Sequence, residues 1–566
     1  MFELFFSSKE TYASLSNRGS FFSLKKTPAS LKNDGNILMN EGRVSEAEHL
    51  YRRAIELDPG FMAAHYNLGN SLRAQNRFEE ALVAYETALK LAPDDYDIYM
   101  NIGATLIELG QAADALRAFS RANEIMPAAA EPLVNMGLAF ERLGHIEESL
   151  TPPDRSTEPD ASSQTSYGNL DAALQTQNKF DAAIEHYRKA LSIRPDFAEA
   201  HNNMGFVLQS QGKLDEAVES FRHALSLNPD FADAHNNLGN VLQSQGKLDE
   251  AVESFRRALS LKPDFADAHY NLGNAYKDLR QYEDAEASYR KALATNPDHV
   301  KTLNSYGGLL MECGHPDKAM ACFQHVIRLE PGNAAASHFI ASMTGVDPER
   351  APSRYVAELF DGFASNFEAN LVENLKYDTP KNLVALIMEL AKPDPEKWDI
   401  LDLGCGTGLV GSVIAPYARQ LVGVDLSAGM LAKARDKNLY QRLEKSELLS
   451  MMEGEAASSY DVIIAADVFV YVGRLDEIMG EIKRLLRPGG VLAFSVESLD
   501  APSSEGGATE GWKDYRLHST GRYAHSSGYI NKVADLSGFR KHSLTPSSIR
   551  LEKGVPVQGW LVVLKT

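Results

Sequence analysis

From about residue 28 onward the chain repeats one pattern of small, large and polar positions every 34 residues. Gly35, Gly69, Gly103, Gly137, Gly205, Gly239, Gly273 and Gly307 stand on one comb, and Ala47, Ala81, Ala115, Ala183, Ala217, Ala251, Ala285 and Ala319 on a second. An aromatic ring follows each of these alanines by four, from Tyr51, Tyr85 and Phe119 to Phe323, and a proline closes each unit, from Pro59 to Pro331. Small residues let two helices cross closely, large ones fill the gap beside the crossing, and proline ends the second helix. The pattern therefore predicts a helix-turn-helix unit, nine of them over residues 28–333. Such units cannot bury their apolar faces alone, so they stack into a solenoid with a groove lined by the first helices.

The fourth unit breaks the pattern. Residues 151–166, TPPDRSTEPDASSQTS, stand where a second helix belongs, and their only apolar residue besides three prolines is Ala161. Each of Pro152 and Pro153 would cost a helix interior about 3 kcal/mol. Gly137 and Gly205 are nevertheless 68 residues apart, two whole periods, so the segment reads as a replacement and not as an insertion. Asp171 also stands where the fifth unit's glycine belongs. Two readings remain open: a hinge loop dividing the solenoid, or paired reading-frame errors. The sixth and seventh units are almost identical, which points to recent duplication.

These units resemble the tetratricopeptide repeat. Two residues before each glycine position stands an asparagine: Asn33, Asn67, Asn101, Asn135, Asn169, Asn203, Asn237 and Asn271. An amide both donates and accepts, as a peptide backbone requires. The ladder is similar to that of the protein N-acetylglucosaminyltransferase repeats, where asparagines grip an extended substrate. Gripping a peptide and packing helix ends are the two uses to weigh.

Past residue 353 the period changes. WDILDL reads as a buried strand, LGCGTG as a glycine loop, SVIAPYA as a helix and LVGVD as the next strand. Gly404, Gly406 and Gly408 allow a ligand to approach the backbone, and Asp425 closes the second strand, where a carboxylate can accept from both hydroxyls of a ribose. Asp402 just before the loop would repel a pyrophosphate, and Leu409 replaces the third glycine of a dinucleotide loop. S-adenosylmethionine (SAM), which has no phosphate and carries an ammonium and a sulfonium, suits the loop better than NAD.

Further segments, VAELFDGFASNFEANLVENLKYDTP, VDLSAGMLAKA, AADVFVYVG, GRYAHSSGYI and GVPVQGWLV, resemble class I SAM-dependent methyltransferases, and among them the group that carries tetratricopeptide repeats. The resemblance implies an α + α/β chain: an all-α superhelical solenoid, a capping helix and linker over 334–352, and a Rossmann-like domain over 353–566 with a mostly parallel seven-stranded sheet. By the same resemblance Asp402, Gly404, Gly406 and Asp425 hold SAM, with Cys405, Gly408, Leu426 and Asp467 around them. Met430 covers the adenine and Glu447 and Leu448 meet its edge. Phe363, in a helix with Tyr355, Phe360 and Phe367, caps the pocket, and Tyr377 closes the same lid.

An acceptor pocket is expected between the fifth strand and the last helix. His518, Arg522, Tyr523 and His525 lie there, and Tyr471 lies in FVYVG after Asp467. No NPPY-type signature follows Asp467, which disfavours amide or base N-methylation. Methyl transfer from a sulfonium is an in-line displacement in which the protein mainly aligns the reactants and excludes water. His518 or His525 would serve as base for an alcohol, phenol or amine, whereas Arg522 would hold a carboxylate that needs none.

Composition trims the remaining classes. A formal net charge of −20 without a basic run argues against nucleic acid as a partner. Cys313, Cys322 and Cys405 are the only cysteines, so no disulfide framework exists and a reducing, cytoplasmic setting is expected. MFELFFSSKE reads as a ragged or disordered leader over 1–27, without a signal peptide or span, and no metal site is expected. Three functions stay open: a methyltransferase whose repeats bind a protein or peptide acceptor, a small-molecule methyltransferase whose repeats assemble a complex, and a scaffold that binds SAM without turnover.

Overall fold

The computed structural model describes residues 26–149, 179–363, 367–368, 377–391, 397–500, 514–552 and 555–566. Nearly all of the expected leader, the segment 151–166 and Asn169 lie outside the described residues. The chain forms two units, Met1–Lys213 and Leu214–Thr566.

In the first unit, rings fill the space that glycines leave. Helix α1 (Pro28–Asn40) packs with α2 (Val44–Leu57), α3 (Met62–Ala74) with α4 (Phe78–Leu91), and α5 (Tyr96–Glu108) with α6 (Ala112–Ile125). A Cβ on Gly69 would lie 2.5 Å from the Tyr85 ring, so only glycine permits this crossing. Helix α7 (Glu131–Ser149) then packs with α8 (Lys179–Ile193), and a Cβ on Gly137 would lie 2.6 Å from the Tyr187 ring. Glycine and ring are 16 residues apart in the regular pairs and 50 apart here, one whole period more. The first helix of the fourth unit and the second of the fifth thus make one pair, where the sequence register reads two units. Leu138 stands where regular pairs carry the asparagine that accepts from the tyrosine, as Asn70 does from Tyr85, and Tyr187 donates instead to Glu141 Oε2 at 3.2 Å. Helix α9 (Ala198–Ser210) ends this unit.

The second unit continues with α10 (Leu214–Leu227), then pairs α11 (Ala232–Ser244) with α12 (Leu248–Leu261), α13 (Ala266–Asp278) with α14 (Tyr282–Thr295), and α15 (Val300–Glu312) with α16 (Pro316–Leu329). Helix α17 (Ala334–Thr344) packs on α16.

Beyond α18 (Ser353–Phe363) and α19 (Thr379–Ala391) the chain becomes α/β, with β1 (Trp398–Leu403), α20 (Leu409–Ile414), β2 (Ala418–Asp425), α21 (Ala428–Asp436), β3 (Arg442–Lys445), α22 (Leu448–Gly454), β4 (Tyr460–Ala465), α23 (Asp476–Leu485) and β5 (Leu486–Ser498). Strands 3-2-1-4-5 run parallel in that order. Then come β6 (Tyr515–Leu517), β7 (Tyr523–His525), α24 (Ser527–Leu536), β8 (Arg540–Glu552) and β9 (Val555–Lys565), with β9 antiparallel to β5 and β8 antiparallel to β9. Among the described residues the sheet has nine strands, not the seven expected, because YRLHSTGRYAH folds as the hairpin β6–β7, whose second strand runs beside the end of β5. Alternate residues of the central strands feed two cores: Leu401, Val422, Ile463 and Phe494 in one, Ile400, Leu421, Ile464 and Ala493 in the other. Both faces are covered, which is why these strands read as continuous apolar runs.

The segment between solenoid cap and α18 is bound along its length. Leu517 N–H donates to Asp347 Oδ1 (2.8 Å), Gly473 and Arg474 N–H both donate to the Glu349 carbonyl, and Ala351 N–H donates to the Tyr471 carbonyl (2.9 Å). Phe339 of α17 packs with Tyr355, Leu517 and Tyr523. No described helix is long and apolar enough to cross a membrane.

Candidate functional site

Parallel strands β1, β2 and β4 end together, and the loop after β1 turns across their ends. Gly404 and Gly406 take φ of +61° and +53°, a region costly for other residues. A Cβ on Gly404 would strike Val468 Cγ2 at 2.5 Å, whereas one on Gly406 would meet nothing nearer than Phe367 at 3.9 Å. The Gly406 face therefore opens into space. Its N–H donates to Asp425 Oδ2 (2.8 Å), and Ser427 N–H donates to Asp425 Oδ1 (2.8 Å). Burial raises the Asp425 carboxyl above its usual range, and these backbone donors oppose the rise. Asp425 is thus a brace for the loop as well as an acceptor beside it.

Asp402 lies beneath the loop, fully buried. Its Oδ2 accepts from the Tyr440 hydroxyl at 2.7 Å, its Oδ1 has no partner, and burial pushes the carboxyl up to about 7.

A cavity of about 240 Å³ opens over the loop. Of the residues singled out from the sequence, Gly404, Cys405, Gly406, Asp425, Leu426, Glu447, Leu448, Asp467, Tyr377, Tyr471 and Arg522 line it. Asp402, Gly408 and Met430 do not. Gly408 caps α20 and faces Tyr440, and Met430 is buried in the first turn of α21. Phe363 ends α18, and its side chain lies outside the described residues; Phe360 of that helix and Phe367 beyond it line the cavity, edge to face at 5.9 Å.

The two histidines proposed as bases are not in the cavity lining. His525 is buried, donates from Nε2 to the Gly473 carbonyl at 3.0 Å, and has its pKa pushed down to about 4 by burial. His518 closes the β6–β7 turn through its backbone, accepting from Gly521 N–H and donating to the Arg522 carbonyl, both at 2.9 Å. Their spacing suits a strand and a turn. Of that hairpin only Arg522 reaches the cavity, and the Gly521 carbonyl beside it accepts from His338 Nε2 on α17 at 2.9 Å.

Several lining residues had gone unnoticed in the sequence. Arg550 on β8 is 5% exposed and ion-paired to Asp467 (3.3 Å) and Glu497. Asp467 itself holds φ of +55°, its N–H bound to Ser495 Oγ and its Oδ1 accepting from the same hydroxyl. Strained residues of this kind collect at sites. Arg350 pairs with Glu477 at 3.0 Å and Arg474 with Glu349 at 2.8 Å. A buried arginine within the strand SSIRLE was the one available signal; nothing local marks Tyr440, Arg350 or Arg474.

Residues 401–492 match the methyltransferase domain family. The C-terminal domain is a methyltransferase domain. Residues 34–131 and 172–333 match tetratricopeptide-repeat families. The chain is 31% identical over 134 residues to the probable S-adenosylmethionine-dependent methyltransferase CRG1 of Saccharomyces cerevisiae, covering 23% of this chain and 45% of that protein. It is 32% identical over 123 residues to malonyl-(acyl-carrier protein) O-methyltransferase of Pectobacterium atrosepticum, covering 22% and 46%. The chain spans about half the length of the curated relatives it matches. A tetratricopeptide repeat protein from Parabacteroides merdae aligns with 52% of this chain and 98% of its own at 18% identity and a TM-score of 0.38.

The repeats bear on the asparagine ladder. Asn33 is exposed, while Asn67, Asn101, Asn135, Asn203, Asn237 and Asn271 are half-buried. Asn67 Nδ2 donates to Asn36 (2.9 Å), Asn101 to the Tyr66 hydroxyl (2.8 Å) and Asn271 to Asn236 (3.0 Å), each in the preceding repeat. At these three positions the amide joins one repeat to the next, which favours packing over peptide gripping.

Proposed function

We propose that the protein transfers the methyl group of SAM to an acceptor in the far half of this cavity, and that the repeats bring a protein or peptide acceptor to it. The observation that carries the reading is the meeting of the open Gly406 face with the Asp425 carboxylate at the ends of parallel strands, where open α/β sheets take their ligands. The residues fit the cofactor. Asp425 would accept from the ribose hydroxyls, the loop backbone from Gly404 to Gly406 would lie along the amino-acid part, Leu426, Glu447 and Leu448 would surround the adenine, and the unpartnered Oδ1 of Asp402 would sit beneath the loop as a counter-charge to an ammonium. When bound, SAM supplies an electrophilic methyl on a sulfonium. The chain's own task is to orient the acceptor and exclude water, and Phe360, Phe367, Tyr377 and Tyr471 form the apolar walls for it.

Support for a link between repeats and transfer comes from α17, the last helix of the solenoid, whose His338 anchors the turn that carries Arg522. The three cysteines are free, in keeping with a cytoplasmic site of action.

Incubating the full chain with methyl-tritiated SAM and an extract of source cells, then separating protein from small molecules, tests the reading. Label in the protein fraction is the expected result. Label only in small molecules would leave the repeats an assembly role, and none at all from protein that binds SAM would leave a scaffold.

A further inference from the structure

The far half of the cavity has an unusual donor set. Arg522 and Arg550 line it from the hairpin turn and from β8, and the more exposed Arg350 and Arg474 also line the cavity. The Arg522 charge beside Arg550 disfavours a second cation there, and the Asp467 and Glu497 carboxylates outweigh that effect. Arg550 spends Nη1 on Asp467 and Nη2 on Glu497, while its buried Nε has no partner.

Proton acceptors are the second consideration. No histidine or lysine stands among the described lining residues. Both oxygens of Asp467 are engaged, Oδ1 by the Ser495 hydroxyl and Oδ2 by Arg550, and Glu477 is paired with Arg350. Arginine stays protonated and cannot take a proton. An alcohol or amine acceptor would need a base here, whereas a carboxylate arrives ionised at neutral pH and matches the planar fork of a guanidinium.

We infer that the methyl acceptor is a carboxylate, on a protein side chain or on a small acid, bound by Arg522 with Arg550 behind it. The inference rests on the methyltransferase reading above. In the step a carboxylate oxygen attacks the methyl carbon, the new O–C bond forms as the S–C bond breaks, and the electron pair returns to sulfur. The products are a methyl ester and neutral S-adenosylhomocysteine, and no proton moves. Arg522 is specificity-determining in this scheme, because it touches the acceptor and not the cofactor.

The test uses the full chain, methyl-tritiated SAM and source-cell extract. After transfer, protein and small-molecule fractions are each treated with mild alkali, which releases a methyl ester as volatile methanol and leaves ethers and methylamines intact. The expected result is volatile label in one of the two fractions, which also tells a side-chain carboxylate from a free acid. Arg522→Gln should lower this label about tenfold or more, as loss of a charge-assisted pair implies, with SAM affinity in calorimetry unchanged. Arg522→Lys should fall between, since it keeps the charge and loses the fork. Alkali-stable label, or full labelling by Arg522→Gln, overturns the proposal. Wild-type protein that fails to bind SAM, or binds it and transfers nothing, would instead overturn the reading beneath it.

Discussion

The two halves of the cavity are built in opposite ways. The half around Gly404, Gly406 and Asp425 comes from one stretch of about 25 residues, strand, loop, helix and strand, and its geometry is set by local backbone: glycines at positive φ and a carboxylate that braces the loop through two N–H bonds. The other half takes Arg350 and Phe360 from the segment after the solenoid, Asp467 and Tyr471 from the end of β4, Arg522 from a hairpin and Arg550 from β8. It is held by long-range ion pairs and by the docking of α17. A local motif can be carried from one protein to another; an assembled wall belongs to this chain. On the function proposed above, cofactor recognition is general here and acceptor recognition particular.

Breaking the assembled half should have the largest effect. Arg550→Met leaves the Asp467 and Glu497 carboxylates buried without their cation, and removal of one partner from a buried pair costs about 3–5 kcal/mol. Chemical denaturation of the full chain should show that loss in the transition of the second unit. Little change would mean that the far half is not cross-braced as described. In the local half, Gly404→Ala combines a φ of +61° with a Cβ 2.5 Å from Val468, so about 1–3 kcal/mol of loop strain is expected, read as weaker SAM binding.

The pH dependence sharpens the contrast from beneath the loop. Asp402 has its pKa raised from 3.8 to about 7 by burial, so the folded state favours the protonated form. Its contribution to stability is greatest below the unfolded value and is lost as pH rises through about 7. Denaturation across that window should show falling stability in the ligand-free protein, and Asp402→Asn should flatten the slope. The smallest effect is expected from His338→Ala, which removes one hydrogen bond of about 1 kcal/mol to the Gly521 carbonyl. Methyl transfer should fall about fivefold through the acceptor's KM while SAM affinity holds; a change in SAM affinity would show that the cap acts on both halves.

The same contrast explains what could be read from the sequence. The repeat, the parallel sheet and the glycine loop were legible because each is specified by nearby residues with a fixed spacing. Arg550, Tyr440 and the Arg350–Glu477 pair were not, since their partners lie tens to more than a hundred residues away. Spacing also misled in two places. His518 and His525 form a cluster in sequence but fall on a turn and a strand, and neither lines the cavity, while the unbroken 34-residue register concealed that α7 pairs with α8 across a full period. Periodicity records where residues stand along the chain; the contact of the Tyr187 ring with Gly137 records which helices meet.

Titration calorimetry of the full chain with SAM, beside Asp425→Ala and with NADH as the competing ligand, tests the central claim most directly. Asp425 offers charged acceptors from a half-buried position, and charge-assisted bonds of this kind contribute about 1.5–3 kcal/mol each. SAM should therefore bind the wild-type chain, lose at least about tenfold in affinity in Asp425→Ala, and meet no competition from NADH. Tight NADH binding, or a SAM affinity that Asp425→Ala leaves unchanged, would contradict the account.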